Sequence, residues 1–553
     1  MVIKNNNISK KITFLLFIIF FLIGTITFKD YGISIDEEFH RGVGFYWLNY
    51  VLSFTPFSEL NNSAAIKLEQ ITGFTLPEVR VKHHPYGVIF DLPVALFEVI
   101  FKIDDPKNYF YFKHFLNFLL FFTASIFFYK LLLNRFLNSY IALLGTLFFV
   151  LSPRIYGNSF FNMKDIISLS LLTIALYYCF KLLDKASYKN FLIFSIFAAL
   201  STSQRIYGIC LPISFISFYL FSILSKKKDL NDFPGIIFFC ISFFIFLTIF
   251  WPFLWSNPIA NFVTAFKYMG HHFVYDFMKI FFNGEYVSAD SLPYNYIFTW
   301  ILISTPILYT ILFIIGYIQI FKRFFLRFIS IKNNTYYYDL WRSVNEKKDL
   351  FILFNITCIV FYLVAFNISM ANGWRHTFFI NIFIIYISTY ALYQINLNFK
   401  SIFKKKLLFN VIIFYLMFIV YKMVIYHPYQ NIYFNGFFNK AVHEKFEVDY
   451  WGLSGKKFLE DILTLEKNKN QIMIGVASYL PLERSIKLLD KEGRKKIIII
   501  GQEYENADYL YSNFMSEVDK RYNDKYKIPF NFSKMNTFAV DNIIVYEIYK
   551  KNN

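Results

Sequence analysis

Apolar runs of membrane-spanning length recur through most of this chain, at about 12–28, 114–134, 138–153, 165–183, 189–204, 207–224, 234–255, 295–320, 350–369, 376–394 and 406–426. A helix needs on the order of 20 such residues to cross the hydrocarbon core. The reading is a polytopic α-helical membrane protein with about 11 transmembrane helices. Composition agrees, since 56% of the 553 residues are apolar and 74 are Phe. A soluble domain could not cover that much oily surface with polar groups. The first run follows Lys4, Lys10 and Lys11 and lacks a small-x-small cleavage site after it, so it reads as a retained helix rather than a signal peptide.

The formal charge of +18 invites a nucleic-acid reading, but the basic residues fall mostly in short loops between apolar runs. That is the pattern of membrane topology, and no nucleic-acid partner is expected. With the N-terminus inside, alternation places inside the loops carrying Lys130/Arg135, Lys181/Lys185/Lys189, Lys226/Lys227/Lys228, Lys322/Arg323/Arg327/Lys332 and Lys400/Lys404/Lys405/Lys406. The opposite loops hold mostly isolated basic residues, as the positive-inside rule requires. Gly87–Phe101 is apolar but short and contains Asp91, Pro93 and Glu98, so it reads as an interfacial helix within the first external loop. Cys179, Cys210, Cys240 and Cys358 all lie in apolar runs with no metal spacing.

Past Tyr426 the composition changes. Gln471–Ala477, Lys496–Gly501 and Asn542–Tyr549 read as strands and Leu482–Lys491 as an amphipathic helix. Residues 1–430 are thus expected to form the transmembrane part and 431–553 a small α/β domain. An odd number of spans puts that domain outside the cytoplasm, at the inner membrane. It has no phosphate loop or nucleophile elbow, and a lid or docking surface is its expected role.

Three segments carry the candidate chemistry. Asp30-Tyr-Gly-Ile-Ser-Ile-Asp36-Glu37-Glu38-Phe-His40 opens the first external loop, where adjacent carboxylates serve a general base or bind a cation. Taken alone, the same residues read equally well as a solvated loop. Ser152-Pro153-Arg154 through Lys164-Asp165 forms the second external loop, with Asp165 at the start of a span. An ionised carboxylate there needs a partner or water. Arg205 lies between two apolar runs, where a snorkelling anchor is the plainer reading of any single arginine. Together, acids and cations at one membrane face suit an anionic lipid-linked substrate.

These residues resemble the GT-C superfamily of lipid-phosphate-sugar-dependent glycosyltransferases, and among them the bacterial protein O-mannosyltransferases and the aminoarabinose transferases of lipid A. The likeness is carried by Asp36-Glu37 after the first helix, the later acid Asp165, and Trp251-Pro-Phe-Leu-Trp255-x-x-Pro258. Asn372-Gly-Trp374-Arg375-His376, His427-Pro-Tyr-Gln-x-x-Tyr-Phe-Asn435 and Asp449-Tyr-Trp-Gly452 add to it. The resemblance implies transfer from a polyprenyl-phosphate sugar donor to a lipid, glycan or protein acceptor on the outer face, with inversion. It implies Asp36 as general base, with Glu37 and Asp165 orienting the acceptor or a cation. Arg154, Lys164, Arg205 and Arg375 would neutralise the leaving lipid phosphate.

His83-His84 and His271-His272 lie in external loops, with His376 beside Arg375. Adjacent residues point apart and rarely chelate together, but a divalent site built from separate loops stays open. Two rival functions remain: a transporter or flippase of lipid-linked sugars, and a catalytically silent assembly protein. Transporters concentrate ionisable residues at mid-bilayer in broken helices, whereas these acids and cations sit at or outside one face. The topology has a direct test. A reporter fused after Lys228 is expected to behave as cytoplasmic and one fused after Lys469 as external; both on one side would contradict the alternation.

Overall fold

The computed structural model describes residues 2–72, 85–224, 233–270, 278–329, 340–436 and 442–552. Helix α1 spans Val2–Thr27, and the segment after it folds into α2 (Glu37–Leu52), α3 (Ser58–Thr72) and α4 (Asp91–Ile100). The bundle continues with α5 (Pro106–Phe136), α6 (Ser139–Val150), α7 (Pro153–Phe161), α8 (Asp165–Asp184), α9 (Tyr188–Gln204), α10 (Cys210–Leu224) and α11 (Phe233–Phe250). Then come α12 (Pro258–Gly270), a hairpin of β1 (Lys279–Phe282) and β2 (Glu285–Ser288), α13 (Tyr296–Ser304), α14 (Ile307–Ile329), α15 (Val344–Ala365), α16 (Asn381–Asn398) and α17 (Ile402–Ile425). The protein is a multi-pass membrane protein.

Every apolar run of the sequence is helical, but the span count is lower than expected. Among the described residues nine helices are long and apolar enough to cross a membrane, and ten if α6 and α7, bent by 62°, count as one span. The bend falls at Pro153, whose missing N–H and fixed φ break a helix interior but suit a first turn. The run at 189–204 becomes a 17-residue helix, just short of a full span. The run at 295–320 divides at Thr305-Pro306 into α13 and α14. The Lys226–Lys228 charges and Lys332 lie outside the described residues.

Gly87–Phe101 differs in a telling way from a helix resting on the interface. Its helical part, α4, packs against α2 and buries both of its acids. Glu98 is held by Arg41 and Asp91 by Lys113 and Lys164. Its charges face protein rather than lipid headgroups because each has a cation to meet there.

The C-terminal part holds α18 (Gly455–Leu465), β3 (Ile472–Val476), the short helices α19 (Glu483–Ile486) and α20 (Lys491–Lys496), then β4 (Ile497–Gly501), β5 (Tyr509–Ser512), β6 (Phe532–Val540) and β7 (Ile543–Lys551). The five strands order as β4-β3-β5-β7-β6, with β3 parallel to β4 and β5 and the remaining pairs antiparallel. The helix read over Leu482–Lys491 is broken in two, because the Asp490 side chain accepts from Gly493 N–H and starts α20 anew. The sheet domain docks on the loop after α1. Arg484 donates to the Ile35 carbonyl, Lys487 pairs with Glu38, and Lys456 donates to the carbonyls of Lys29 (2.8 Å) and Asp30 (3.1 Å).

Candidate active site

The loop leaving α1 is fixed before it reaches Asp36. Gly32 passes so close to Leu453 that a Cβ would lie 2.4 Å from its carbonyl oxygen. Ile35 N–H donates to the Trp451 carbonyl at 3.0 Å. The Trp451 turn is itself built on the Asp449 carboxylate, which accepts from Leu453 N–H and Ser454 N–H at 3.1 Å each. A third piece of chain arrives at the tight turn before Arg375, where Asn372 and Gly373 both take positive φ. Gly373 N–H donates to the Tyr296 hydroxyl at 3.1 Å and Trp374 Nε1 to Ser304 Oγ at 2.8 Å. These contacts present the Arg375 guanidinium over the Trp451 ring, 4.6 Å from its centroid, and 2.6 Å from Asp36 Oδ2.

Asp36 and Arg375 border a cavity of about 250 Å³. Lys164, Arg205, His40 and Tyr86 form another part of its wall, and Tyr479 and Met515 close it from the sheet domain. The sheet domain is thereby part of the site. Gly87 ties two of these walls together: its N–H donates to the Ser203 carbonyl at 3.1 Å, and its own carbonyl accepts from Lys164 Nζ. A Cβ at Gly87 would fall 2.1 Å from Ser203 O, so the approach needs glycine.

The three expected acids occupy unlike surroundings. The Asp36 side chain is 35% exposed and opens on the cavity. Glu37 is sealed, its Oε1 accepting from Ser34 N–H at 2.7 Å and its Oε2 lying 3.0 Å from His114 Nε2. The bond to Ser34 N–H closes the turn into α2, whose N-cap is Asp36. Asp165 is also buried; Oδ1 lies 2.6 Å from Arg205 NH2 and Oδ2 accepts from Asn162 Nδ2 at 3.0 Å. Only Asp36 of the three lines the cavity.

The expected cations divide as well. Lys164, Arg205 and Arg375 line the cavity. Arg154 does not. It is buried against the rings of Trp300 and Phe434, 5.3 and 4.9 Å away, and donates to the Tyr433 carbonyl at 3.0 Å. Its geometry is that of a packed strut.

His40 was not singled out in the sequence, although it lies one helical turn after Asp36 and its N–H donates to the Asp36 carbonyl at 3.0 Å. Burial, followed by the charges of Lys164, Lys113, Arg205 and Arg375, holds its imidazole well below the usual histidine range and so neutral at pH 7. Tyr479 and Met515 gave no sequence signal, since only the docking of the sheet domain brings them in. Among the described residues no group of three His, Cys, Asp or Glu side chains is arranged to hold a metal ion. His83, His84, His271 and His272 lie outside the described residues, while His376 lines the cavity.

Comparison with known proteins follows the same line. Residues 112–255 match the family model described as dolichyl-phosphate-mannose-protein mannosyltransferase, a stretch that includes Lys164, Asp165 and Arg205. The match bears out the resemblance to lipid-phosphate-sugar-dependent enzymes and, with it, the glycosyltransferase class. No curated protein sequence matches. Two crystal structures of ArnT from Cupriavidus metallidurans, one bound to undecaprenyl phosphate and one in the apo state, are similar at 11% identity over 97% of both chains. Their TM-scores are 0.46 and 0.45.

Behind the cavity lies a carboxyl group with a pH signature. Glu447 is buried, and burial pushes its carboxyl up to about 7 despite hydrogen bonds from Asn372 Nδ2 (3.3 Å) and Phe281 N–H (3.4 Å). A group whose pKa rises on folding favours the folded state while it is protonated. Stability from Glu447 is therefore fully present below about 4.5, declines as pH rises, and is lost above about 7, a span on the order of 3 kcal/mol. Thermal unfolding of the purified protein from about pH 5 to 8 is expected to show a smaller loss with rising pH in Glu447→Gln than in the wild type. Parallel pH profiles would contradict it.

Proposed function

We propose that the protein transfers a sugar from a polyprenyl-phosphate-linked donor to an acceptor at the outer face of the inner membrane. One observation carries the reading: the cavity holds an open carboxylate, Asp36, within a wall that includes Lys164, Arg205 and Arg375. The acceptor hydroxyl would give its proton to Asp36 as its oxygen attacks the anomeric carbon, and the bond from that carbon to the phosphate oxygen breaks on the far side. The sugar centre inverts, and the polyprenyl phosphate departs with one more negative charge. A carboxylate suits the base because it takes the proton only as the new bond forms. The cations stabilise the charge that grows on the leaving phosphate.

In this reading Glu37 and Asp165 act through other residues. Glu37 fixes the turn before Asp36, and Asp165 anchors Arg205. The neutral His40 offers a hydrogen bond to substrate without adding charge. Tyr479 and Met515, on the sheet domain, would face the acceptor. The reading sets the site and that domain on the outer side, and the loop charges support it. A flippase would need ionisable groups along a path through the bilayer, whereas the cavity cations sit at the ends of α8, α9 and α16.

The base has a decisive substitution. Asp36→Asn retains an oxygen for Arg375 but cannot take the proton, and transfer is expected to fall by about a hundredfold or more with the fold intact. Glu37→Gln is expected to lower thermal stability along with activity, because it disturbs the bonds to Ser34 and His114. The readout is turnover of a polyprenyl-phosphate sugar by purified protein. Full activity in Asp36→Asn would refute the assignment.

A further inference from the structure

Lys164, Arg205 and Arg375 all line the cavity, yet each already has a carboxylate partner. Binding a phosphate therefore asks at least one of them to leave an acid behind, and a buried carboxylate without a cation is unfavourable. The three differ in what they would leave. Arg205 pairs with Asp165, and among the described residues no second cation is paired with that acid. Arg375 pairs with Asp36, the carboxylate that borders the cavity.

Lys164 is different. Its partner Asp91, on α4, is shared: Lys164 Nζ lies 3.3 Å from Oδ2 and Lys113 Nζ 3.3 Å from Oδ1. All three side chains are buried, Lys113 and Asp91 completely. Lys113 does not line the cavity; it sits behind, near the Tyr109 ring and the Glu37 carbonyl. We infer that Asp91 and Lys113 are positioning residues that let Lys164 turn onto the donor phosphate, with Lys113 remaining as the counter-ion of Asp91. The inference rests on the proposed lipid-phosphate donor and deepens it by naming the cation that changes partner.

The arrangement makes a prediction that a merely structural role does not. Removing Lys113 ties Asp91 to Lys164 alone, so phosphate binding must strand the acid. Removing Asp91 as well leaves no buried carboxylate to strand when Lys164 turns from the Gly87 carbonyl onto the phosphate. The experiment measures binding of polyprenyl monophosphate to the full-length protein in nanodiscs, together with donor KM and kcat.

Lys113→Met is expected to weaken binding and raise donor KM by about tenfold, with kcat changed by less than about threefold. Asp91→Asn with Lys113→Met is expected to return both to within about threefold of wild type. Asp91→Asn alone is expected to bind as wild type or tighter. Should Lys113→Met fail to fold, the Asp91→Asn variant and the double variant still decide the matter. Unchanged binding in Lys113→Met, a double variant as weak as Lys113→Met, or a loss of binding in Asp91→Asn would each overturn the inference. If the wild-type protein itself does not bind polyprenyl monophosphate, the donor reading falls and this inference with it.

Discussion

Asp36 and Arg375 meet across 339 residues of sequence, and the cavity end of the molecule is arranged around their contact. Each is delivered by backbone that other segments hold. The Asp36 loop leans on the Trp451 turn through Ile35 and Gly32, and the Arg375 turn is pinned by Tyr296 and Ser304. Trp451 then serves both, through its carbonyl to one and its ring face to the other. A guanidinium stacked on an indole and paired with a carboxylate has little freedom, so the carboxylate is presented to the cavity in a fixed pose.

The same physics governs the rest of the polar interior. Breaking a buried ion pair by removing one partner costs about 3–5 kcal/mol, so charges inside this bundle come in sets. At the cavity end these are Asp91 with Lys113 and Lys164, Asp165 with Arg205, and Glu98 with Arg41. At the other end of the helices, Asp349 receives Arg135 (2.6 Å), Arg323 (3.1 Å) and the Tyr386 hydroxyl (2.9 Å), while Lys348 pairs with Asp184 at 2.6 Å. The two ends differ in access. The Asp349 cluster is packed by protein, whereas Lys164, Arg205 and Arg375 open on a cavity large enough for a small polar group.

Much of the architecture was legible in the sequence, because apolar runs and loop charges report directly on what lipid tolerates. What was lost is physical too. A run of apolar residues does not reveal where Pro153 or Pro306 breaks the helix within it. The acids of α4 looked interfacial because their partners, Arg41, Lys113 and Lys164, come from distant parts of the chain. At the site, Asp36, Lys164, Arg205 and Arg375 were named from the resemblance and line one cavity. Arg154 was named with them and is instead packed between rings, since nothing in a sequence distinguishes a buried arginine from a ligand. Glu37 was expected beside Asp36 as an orienting acid, and its burial against Ser34 N–H and His114 depends on helices that adjacency in sequence does not reveal. Asp449-Tyr-Trp-Gly452 was noticed as a motif, and its physical meaning, a platform for Arg375, needed the fold.

The central claim is that the outer cavity receives the phosphate of a polyprenyl-linked sugar. A cryo-EM structure of the protein in nanodiscs with polyprenyl monophosphate addresses it most directly. The account predicts the phosphate within hydrogen-bonding distance of Lys164 and of at least one of Arg205 and Arg375, with Asp36 facing the space where the sugar would sit. A phosphate bound elsewhere, at the basic end around Arg135 and Arg323 or outside the cavity altogether, would contradict it.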